Sequence, residues 1–319
     1  MRAIYLGLCV AAFAAGAAAL DFPSRAVRIV VPYPPSGNVD ITARTVAPAF
    51  GDALGQPIVI ENRAGAGGTI GTSAVIKSPA DGYTLVLGSS ATITAGPAVY
   101  KNPPYDPFKE LVALGAIQLA PIVLTVAPKT PVNSFAEFVA RARARPGQVT
   151  IASAGNGSSN HLAIELLMRQ ANLQLLHVPY KGSGPALTDL IGSQVEAMMD
   201  QLTASMAHIR EGRIRAIAIT SRKRSPDLPD VPTLDELGVK GYEASTFTGL
   251  FAPTGTPMAV VETLASALRK AMANPTVRGR FRTMGVEVMD MSRAEFAAYV
   301  RADYDKWLKL AREANIVLE

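Results

Sequence analysis

The sequence predicts an α/β fold in which mostly parallel sheets are flanked by helices. Short apolar runs rich in β-branched residues, such as Val27–Val31, are typical of strands that are buried on both faces. These runs alternate with longer segments of helical periodicity, such as residues 40–54, and turn-forming residues separate the two. Hydrophobic residues make up 49% of the 319 residues and charged residues 18%, which excludes a disordered chain. A net charge of +5 with only 6% aromatic residues gives no sign of a nucleic-acid partner.

The first 19 residues have the pattern of a secretory signal peptide. Arg2 precedes an apolar run over residues 4–15, and residues 17–19 are small alanines suited to cleavage. Cys9, the single cysteine of the chain, lies inside this run, so the mature protein is predicted to have neither disulfides nor thiolate metal sites. The sequence thus combines a predicted leader with a mature chain that has no cysteine and no second apolar run long enough to span a membrane. This combination predicts a protein of the bacterial periplasm.

The first half of the mature chain contains three predicted strand–loop units, and a predicted helix follows each of the first two. Pro32 ends the first strand, because proline cannot continue a buried strand. Proline, glycine and serine then mark the loops that follow each strand. In order, the predicted elements are strand 27–31, loop 33–38, helix 40–54, strand 57–61, loop 65–68, a short helix to residue 77, strand 83–87 and loop 88–92.

The second half continues this alternation and ends in helices. A helix over residues 135–145 follows Ser134, whose side chain is predicted to cap it. The next predicted elements are strand 149–153, loop 154–159, helix 160–171, strand 175–178, helix 185–191, strand 195–199 and strand 214–219. Residues 257–315 are predicted to be mainly helical, and one long segment there carries Trp307.

Two segments indicate that the chain crosses between two lobes. Residues 111–126 are too long and too mixed for one ordinary strand, and residues 244–252 have the character of a return crossing. The predicted division is residues 20–125 plus 245–319 in one lobe and residues 126–244 in the other. The alternative is two consecutive domains that meet near Pro128.

The glycine runs and the histidines do not form a catalytic motif. Residues 65–71 fail the G-x-G-x-x-G spacing of dinucleotide sites, so backbone turns with positive φ are the predicted role of these glycines. His161, His177 and His208 are too far apart in sequence to form a metal-binding motif. We therefore expect no catalytic residue, no metal and no cofactor. A hydrolase that uses Ser158 and His161 as nucleophile and base is an alternative.

Two strand–loop–helix units share a design suited to binding an anion. Residues 30–40 and 151–161 each run from a buried strand through a loop of small polar residues into a helix. Such a loop turns free backbone N–H groups outward, and the helix N-terminus adds about half a positive charge. On opposing lobes, two of these loops would hold a carboxylate without an arginine. The equally open alternative is that both are plain helix starts, capped by Asp40 and Asn160.

A series of short motifs runs along the mature chain in a fixed order. They are Phe22-Pro23-Ser24-Arg25, Val31-Pro32-Tyr33-Pro34-Pro35, Val59-Ile60-Glu61-Asn62-Arg63, Asp81-Gly82-Tyr83-Thr84-Leu85, Pro104-Tyr105-Asp106-Pro107, Ser153-Ala154-Gly155-Asn156-Gly157-Ser158, Val178-Pro179-Tyr180-Lys181-Gly182, Lys223-Arg224-Ser225-Pro226, Val231-Pro232-Thr233 and Leu250-Phe251-Ala252-Pro253. Through the order and coverage of these motifs, the sequence resembles the Bug-type solute-binding proteins, the TctC-like receptors of tripartite tricarboxylate transporters.

The resemblance implies a bilobed fold of the periplasmic-binding-protein type, type II-like, which captures a small organic carboxylate between its lobes. It implies delivery of that ligand to membrane permease subunits, and we expect a monomer that binds no nucleic acid. A sensory receptor on the same scaffold is a further alternative. The residues expected to bind the ligand are Tyr33, Ser36, Gly37, Asn38, Asp40, Ser89, Ser90, Ala154, Gly155, Asn156, Ser158, His161, Tyr180, Asp200 and Phe247.

Within this set the resemblance implies different roles. Tyr33 is expected to pack against the ligand, Asp40 to orient the first loop, and Phe247 to line the cleft. The loop amides are expected to hold the carboxylate together with Ser36, Asn38, Asn156 and Ser158. Family members usually have Gly-Gly where this chain has Ser36-Gly37, so Ser36 is expected to add a hydroxyl and bulk to the anion site.

Overall fold

The computed structural model describes residues 22–313 and residue 317. The predicted signal peptide, with Cys9, lies outside the described residues. The strands are β1 (Val27–Val31), β2 (Ile58–Asn62), β3 (Thr84–Ser89), β4 (Leu111–Val126), β5 (Thr150–Ser153), β6 (Leu176–Pro179), β7 (Ala197–Gln201), β8 (Arg215–Ile219), β9 (Ser245–Pro253) and β10 (Glu287–Val288). The α-helices are α1 (Asn38–Leu54), α2 (Thr69–Ile76), α3 (Gly96–Val99), α4 (Pro107–Glu110), α5 (Phe135–Ala144), α6 (Ser159–Gln170), α7 (Ser183–Ile191), α8 (Leu202–Arg210), α9 (Met258–Ala273), α10 (Pro275–Thr283) and α11 (Arg293–Glu313).

The strands pair as one continuous sheet that is parallel towards both ends and antiparallel in the middle. The order is β2-β1-β3-β9-β4-β7-β5-β6, and β8 and β10 each pair with β4. β1 pairs in parallel with β2 and β3, and β5 pairs in parallel with β6 and β7. The described pairs that involve β4 or β9 are antiparallel. The predicted α/β class is confirmed, and the long middle strands add antiparallel pairing to it.

β4 is one long strand that exchanges one set of partners for another. Residues 111–121 pair with β9, whereas residues 122–126 pair with β7 and β8. Two register shifts interrupt the pairing with β9, and such irregularities bend strands. This segment of 16 residues, whose composition is too mixed for one ordinary strand, is therefore a single strand whose two parts pair with different partners. The lobe boundaries that we place beside it stay a prediction.

Helices cover both faces of the sheet, which explains the continuous apolar runs of the sequence. In β1, the side chains of Val27 and Ile29 belong to a cluster with α1 and α9, while Val30 belongs to a cluster with α2 and α11. Around β5 and β7, α5 and α6 cover one face and α7 and α8 the other. None of the helices in the described ranges is long and apolar enough to cross a membrane.

The caps of two helices differ from those predicted. α1 begins after Gly37, which has no side chain to cap it, and α6 begins after Ser158, whose Oγ accepts a backbone N–H of the first turn. Asp40 and Asn160 lie inside these first turns, so their prediction as caps is wrong. The prediction that Ser134 caps α5 is confirmed.

Candidate functional site

A cavity lies beside β9, where the first turns of several helices meet. About 340 Å³ of space there, part of it open to solvent, is not filled by protein atoms. The cavity wall consists of Tyr33, Gly37, Asn38, Val39, Ser89, Ala91, Ala154, Ser158, Ser159, Asn160, Ser183, Gln201 and Thr246. Because none of these wall residues has an ionisable carboxylate, amine, guanidinium or imidazole, the wall is polar but uncharged.

Four α-helices in the described part of the chain begin at this cavity. α1 starts at Asn38, α6 at Ser159 and α7 at Ser183, and Gln201 immediately precedes α8. The first N–H groups of a helix have no partner within the helix and carry a partial positive charge. Their convergence on an uncharged wall makes the cavity suited to an anion, which it can hold without an arginine.

Asp40 anchors the first loop from beneath. Its carboxylate accepts the N–H of Ser36 at 2.9 Å, Nε of Arg44 at 3.0 Å and Nδ2 of Asn62 at 2.9 Å. Burial would raise the pKa of Asp40, but these hydrogen bonds and the charge of Arg44 outweigh burial and lower the pKa. Ser36 has a left-handed φ of 67° and an exposed side chain, so its hydroxyl does not enter the cavity wall as we expected.

Ser158 closes the second loop. Its Oγ donates to the carbonyl oxygen of Gly155 at 2.6 Å and accepts the N–H of His161 at 3.2 Å. The imidazole of His161 is engaged elsewhere: Nδ1 accepts the N–H of Gly157 at 3.2 Å, and the ring stacks on His177 with centroids 4.2 Å apart. The two side chains are therefore not arranged as the nucleophile and base that the hydrolase alternative requires.

Asp200 lies fully buried behind the cavity wall. Its carboxylate accepts Oγ of Ser183 at 2.6 Å, Oγ of Ser205 at 3.0 Å and Nδ2 of Asn160 at 3.2 Å. Burial has the largest effect and raises the pKa of Asp200 to about 6, although the hydrogen bonds act in the opposite direction. Since Ser183 and Asn160 belong to the wall, Asp200 influences the cavity through them.

The predicted ligand-binding residues divide into two groups. Those on the cavity wall are Tyr33, Gly37, Asn38, Ser89, Ala154 and Ser158. Those that lie outside the wall are Ser36, Asp40, Ser90, Gly155, Asn156, His161, Tyr180, Asp200 and Phe247. Tyr180 donates its hydroxyl to Asp189 at 2.6 Å, and the side chain of Asn156 is exposed.

Phe247 does not line the cavity, contrary to our expectation. Its side chain is fully buried and packs edge-on against Phe296 and Tyr299. Side chains alternate between the two faces of a strand, and on β9 it is Thr246 that faces the cavity. The backbone N–H of Phe247 donates to Oγ of Ser90 at 3.1 Å, which accounts for the position of that serine behind the wall.

The sequence does not single out the other wall residues, although Val39, Ser159 and Asn160 lie within the two predicted strand–loop–helix units. They are Val39, Ala91, Ser159, Asn160, Ser183, Gln201 and Thr246. Ser183 and Gln201 each stand where a strand passes into a helix, so the pattern that identified the first two loops would have found both. No local signal distinguishes Thr246, which reaches the cavity only through the path of β9.

The family model of the tripartite tricarboxylate transporter family receptor, TctC, matches residues 42–316. This chain belongs to the TctC family. Among curated relatives, BugT of Bordetella pertussis is 36% identical over 320 residues, which cover 100% of this chain and 98% of BugT. The resemblance that the motifs indicate is thereby confirmed, and the family consists of solute-binding receptors.

Solved structures similar to this TctC-family chain include a periplasmic binding protein and two proteins solved with a bound carboxylate. Periplasmic binding protein BugD has a TM-score of 0.90 at 36% identity and covers 93% of this chain and 100% of its own. Rpa4515 of R. palustris, solved with adipate, has a TM-score of 0.89 at 35% identity, with coverages of 93% and 99%. MatC of Rhodopseudomonas palustris, solved with bound malate, has a TM-score of 0.87 at 34% identity, with coverages of 90% and 99%.

Gly67 lies in close contact with the second loop of this TctC-family protein. Gly65, Gly67 and Gly68 all have positive φ, which confirms the predicted role of this glycine run. A Cβ atom on Gly67 would lie 2.6 Å from the carbonyl oxygen of Asn156. The hydroxyl of Tyr100 lies 3.4 Å from the same oxygen, so Gly67 and Tyr100 both approach the second loop closely at this point.

Proposed function

We propose that this protein captures a small organic carboxylate in the periplasm and delivers it to the permease subunits of a tripartite tricarboxylate transporter. The observation that carries the proposal is the convergence of four helix N-termini on a small, uncharged cavity. Adipate and malate in the structures of Rpa4515 and MatC support a carboxylate as the ligand class. In this proposal the protein is a monomer and performs no chemistry on its ligand.

Capture requires the lobes to close around the ligand. We infer that residues 20–125 plus 245–319 move against residues 126–244, with β4 and β9 as the hinge. Contacts across the cavity support this motion: a Cβ on Gly37 would lie 3.7 Å from Cβ of Ser183, and Gly67 abuts Asn156. In this proposal the described conformation is the closed form of the hinge.

The proposal is tested by thermal denaturation of the mature protein with malate, adipate and nicotinate, each compared with its amide. A ligand that binds only the folded protein raises the melting temperature with its concentration. We expect a rise with at least one acid and a smaller rise with its amide. If the protein has been refolded from denaturant, which removes any co-purified ligand, and still responds to none of the acids, the proposal is wrong.

Gly67→Ala is expected to weaken carboxylate binding about fivefold, because the added methyl group collides with Asn156 only when the lobes are closed. Gly55→Ala is the matched control: Gly55 has a φ of 70°, close to the 63° of Gly67, but a Cβ there meets no atom within 4 Å. Both substitutions should cost about 1–2 kcal/mol of folding free energy. Equal affinities of the two variants in calorimetric titrations would argue against closure at this contact.

Binding is also expected to depend on the protonation of Asp200. Its pKa of about 6 means that the carboxylate is ionised at neutral pH and repels a bound anion. Because protonation removes that charge, affinity should rise about fivefold as the pH falls from about 7.5 to about 5.5, where aliphatic acids stay largely ionised. Titrations of the isosteric Asp200→Asn variant over the same range should be flat, and a parallel slope in both proteins would assign the pH dependence to another group.

A further inference from the structure

Asn38 has a buried hydrogen-bond donor without a partner. The residue belongs to the cavity wall and is 3% exposed, and its Nδ2 makes no hydrogen bond. Buried polar groups in proteins are nearly all hydrogen-bonded, since an unpaired donor is unfavourable. A donor left unpaired at the wall of a binding cavity therefore points to an acceptor atom of the ligand.

Thr42 determines which end of the Gln118 amide faces it. The hydroxyl of Thr42 donates its only proton to the backbone oxygen of Asn38 at 2.7 Å. Towards Gln118, Oγ1 of Thr42 can then only accept, so the amide nitrogen of Gln118 must face it. The amide oxygen of Gln118 accepts from the hydroxyl of Thr203 at 3.4 Å, which agrees with this orientation.

Gln118 in turn determines the orientation of Asn38. The second proton of Gln118 Nε2 goes to Oδ1 of Asn38, at 2.8 Å. Because Oδ1 is occupied, the free end of the Asn38 amide is the N–H end. Gln118 and Thr42 are fully buried, so water does not compete for these bonds.

We infer that Gln118 is a positioning residue, which holds the Asn38 amide as a hydrogen-bond donor to the ligand and so makes the cavity select carboxylates over their amides. This inference rests on the proposed function. Gln118 lies on β4 behind the wall and acts through Asn38. A carboxylate oxygen is a strong acceptor for the fixed N–H of Asn38. The oxygen of an amide ligand is a weaker acceptor, and the N–H group of such a ligand cannot pair with the Asn38 N–H, because both are donors.

The test compares calorimetric affinities of wild type, Gln118→Met and Asn38→Asp for malate, adipate and nicotinate and for their amides. Gln118→Met keeps the chain length but removes both amide groups. We expect it to weaken acid binding about tenfold and to leave amide binding nearly unchanged, so that selectivity falls. Asn38→Asp replaces the donor by an acceptor of the same shape and should weaken acid binding about a hundredfold.

The ratio of acid to amide affinity separates positioning from a general structural role. A structural role would lower the melting temperature and weaken acid and amide binding in parallel, so an unchanged ratio in Gln118→Met overturns the inference. If the variants do not fold, the side-chain ¹⁵N–¹H signals of Asn38 in the wild type must shift when acid is added, and unmoved signals overturn it as well. If the wild type binds none of the acids, the proposed function and this inference are both refuted. If the wild type binds the acids but the ratio of acid to amide affinity is unchanged in Gln118→Met, only the inference is refuted.

Discussion

Ser158→Asp is expected to weaken carboxylate binding roughly tenfold or more, a loss of about 1.4 kcal/mol at the least. Ser158 lies on the cavity wall and caps α6, with Oγ accepting the N–H of His161. Aspartate is as good a cap as serine, so the helix start should persist, but its carboxylate cannot donate to the carbonyl oxygen of Gly155 as Ser158 Oγ does. The new negative charge, however, offsets the positive end of the helix and repels the ligand carboxylate. Calorimetric titration with the acid that raises the melting temperature most measures the loss.

Ser158→Asn is the matched control for this charge. Asparagine has nearly the same shape as aspartate and caps helices equally well, but it is neutral. We expect its affinity to lie much closer to that of wild type than to that of Ser158→Asp. If both variants bind equally well, charge at this position is irrelevant, and the carboxylate does not lie at the start of α6.

Phe247→Ala is expected to lower the free energy of unfolding by about 3–5 kcal/mol. The Phe247 ring is fully buried, with centroids 5.6 Å from Phe296 and 5.8 Å from Tyr299, and its removal leaves a cavity that the surrounding side chains fill only in part. Urea denaturation followed by circular dichroism measures the loss. At temperatures where the variant stays folded, carboxylate affinity should remain within about twofold of wild type, because the ring does not reach the cavity wall.

The neighbouring position provides the contrast. Thr246 faces the cavity and donates to Oγ of Ser159 at 2.6 Å. Thr246→Val keeps the shape of the side chain, so we expect it to change ligand affinity more than Phe247→Ala does and to change stability less. If Phe247→Ala loses carboxylate affinity but keeps its stability, Phe247 belongs to the binding site, and the assignment of the two faces of β9 is wrong.

Much of the fold could be predicted because burial on both faces leaves a strong pattern in sequence. The run at residues 27–31 is apolar except for Arg28, and Ile151 and Ala152 form the apolar centre of residues 150–153, since helices cover both faces of these strands. β4 is harder to recognise in the sequence because its two parts have different neighbours, so its apolar and polar residues follow no single periodicity. The middle pairing of β4 with β9 depends on strands more than a hundred residues apart, and local pattern carries no information about such contacts.

The candidate site could be predicted where it depends on loop backbone and not where it depends on tertiary convergence. Small polar residues before α1 and α6 indicate exposed N–H groups, and those loops do reach the cavity. The cap of α6 is shifted by two residues, from Asn160 to Ser158, because composition fixes a helix start only approximately. Phe247 was misplaced for a different reason: a shift of one residue along a strand exchanges the core face for the cavity face.

The exchange of partners along β4 has a consequence for how the molecule unfolds. Many two-lobed proteins melt in two steps, because each lobe keeps a core of its own. Here one unbroken strand hydrogen-bonds with β9 at its first part and with β7 and β8 at its last. If the part of the sheet around β9 or the part around β7 and β8 unfolds, the other part loses β4 as an interior strand. The two cores are therefore expected to unfold as one cooperative unit, with equal calorimetric and van't Hoff enthalpies.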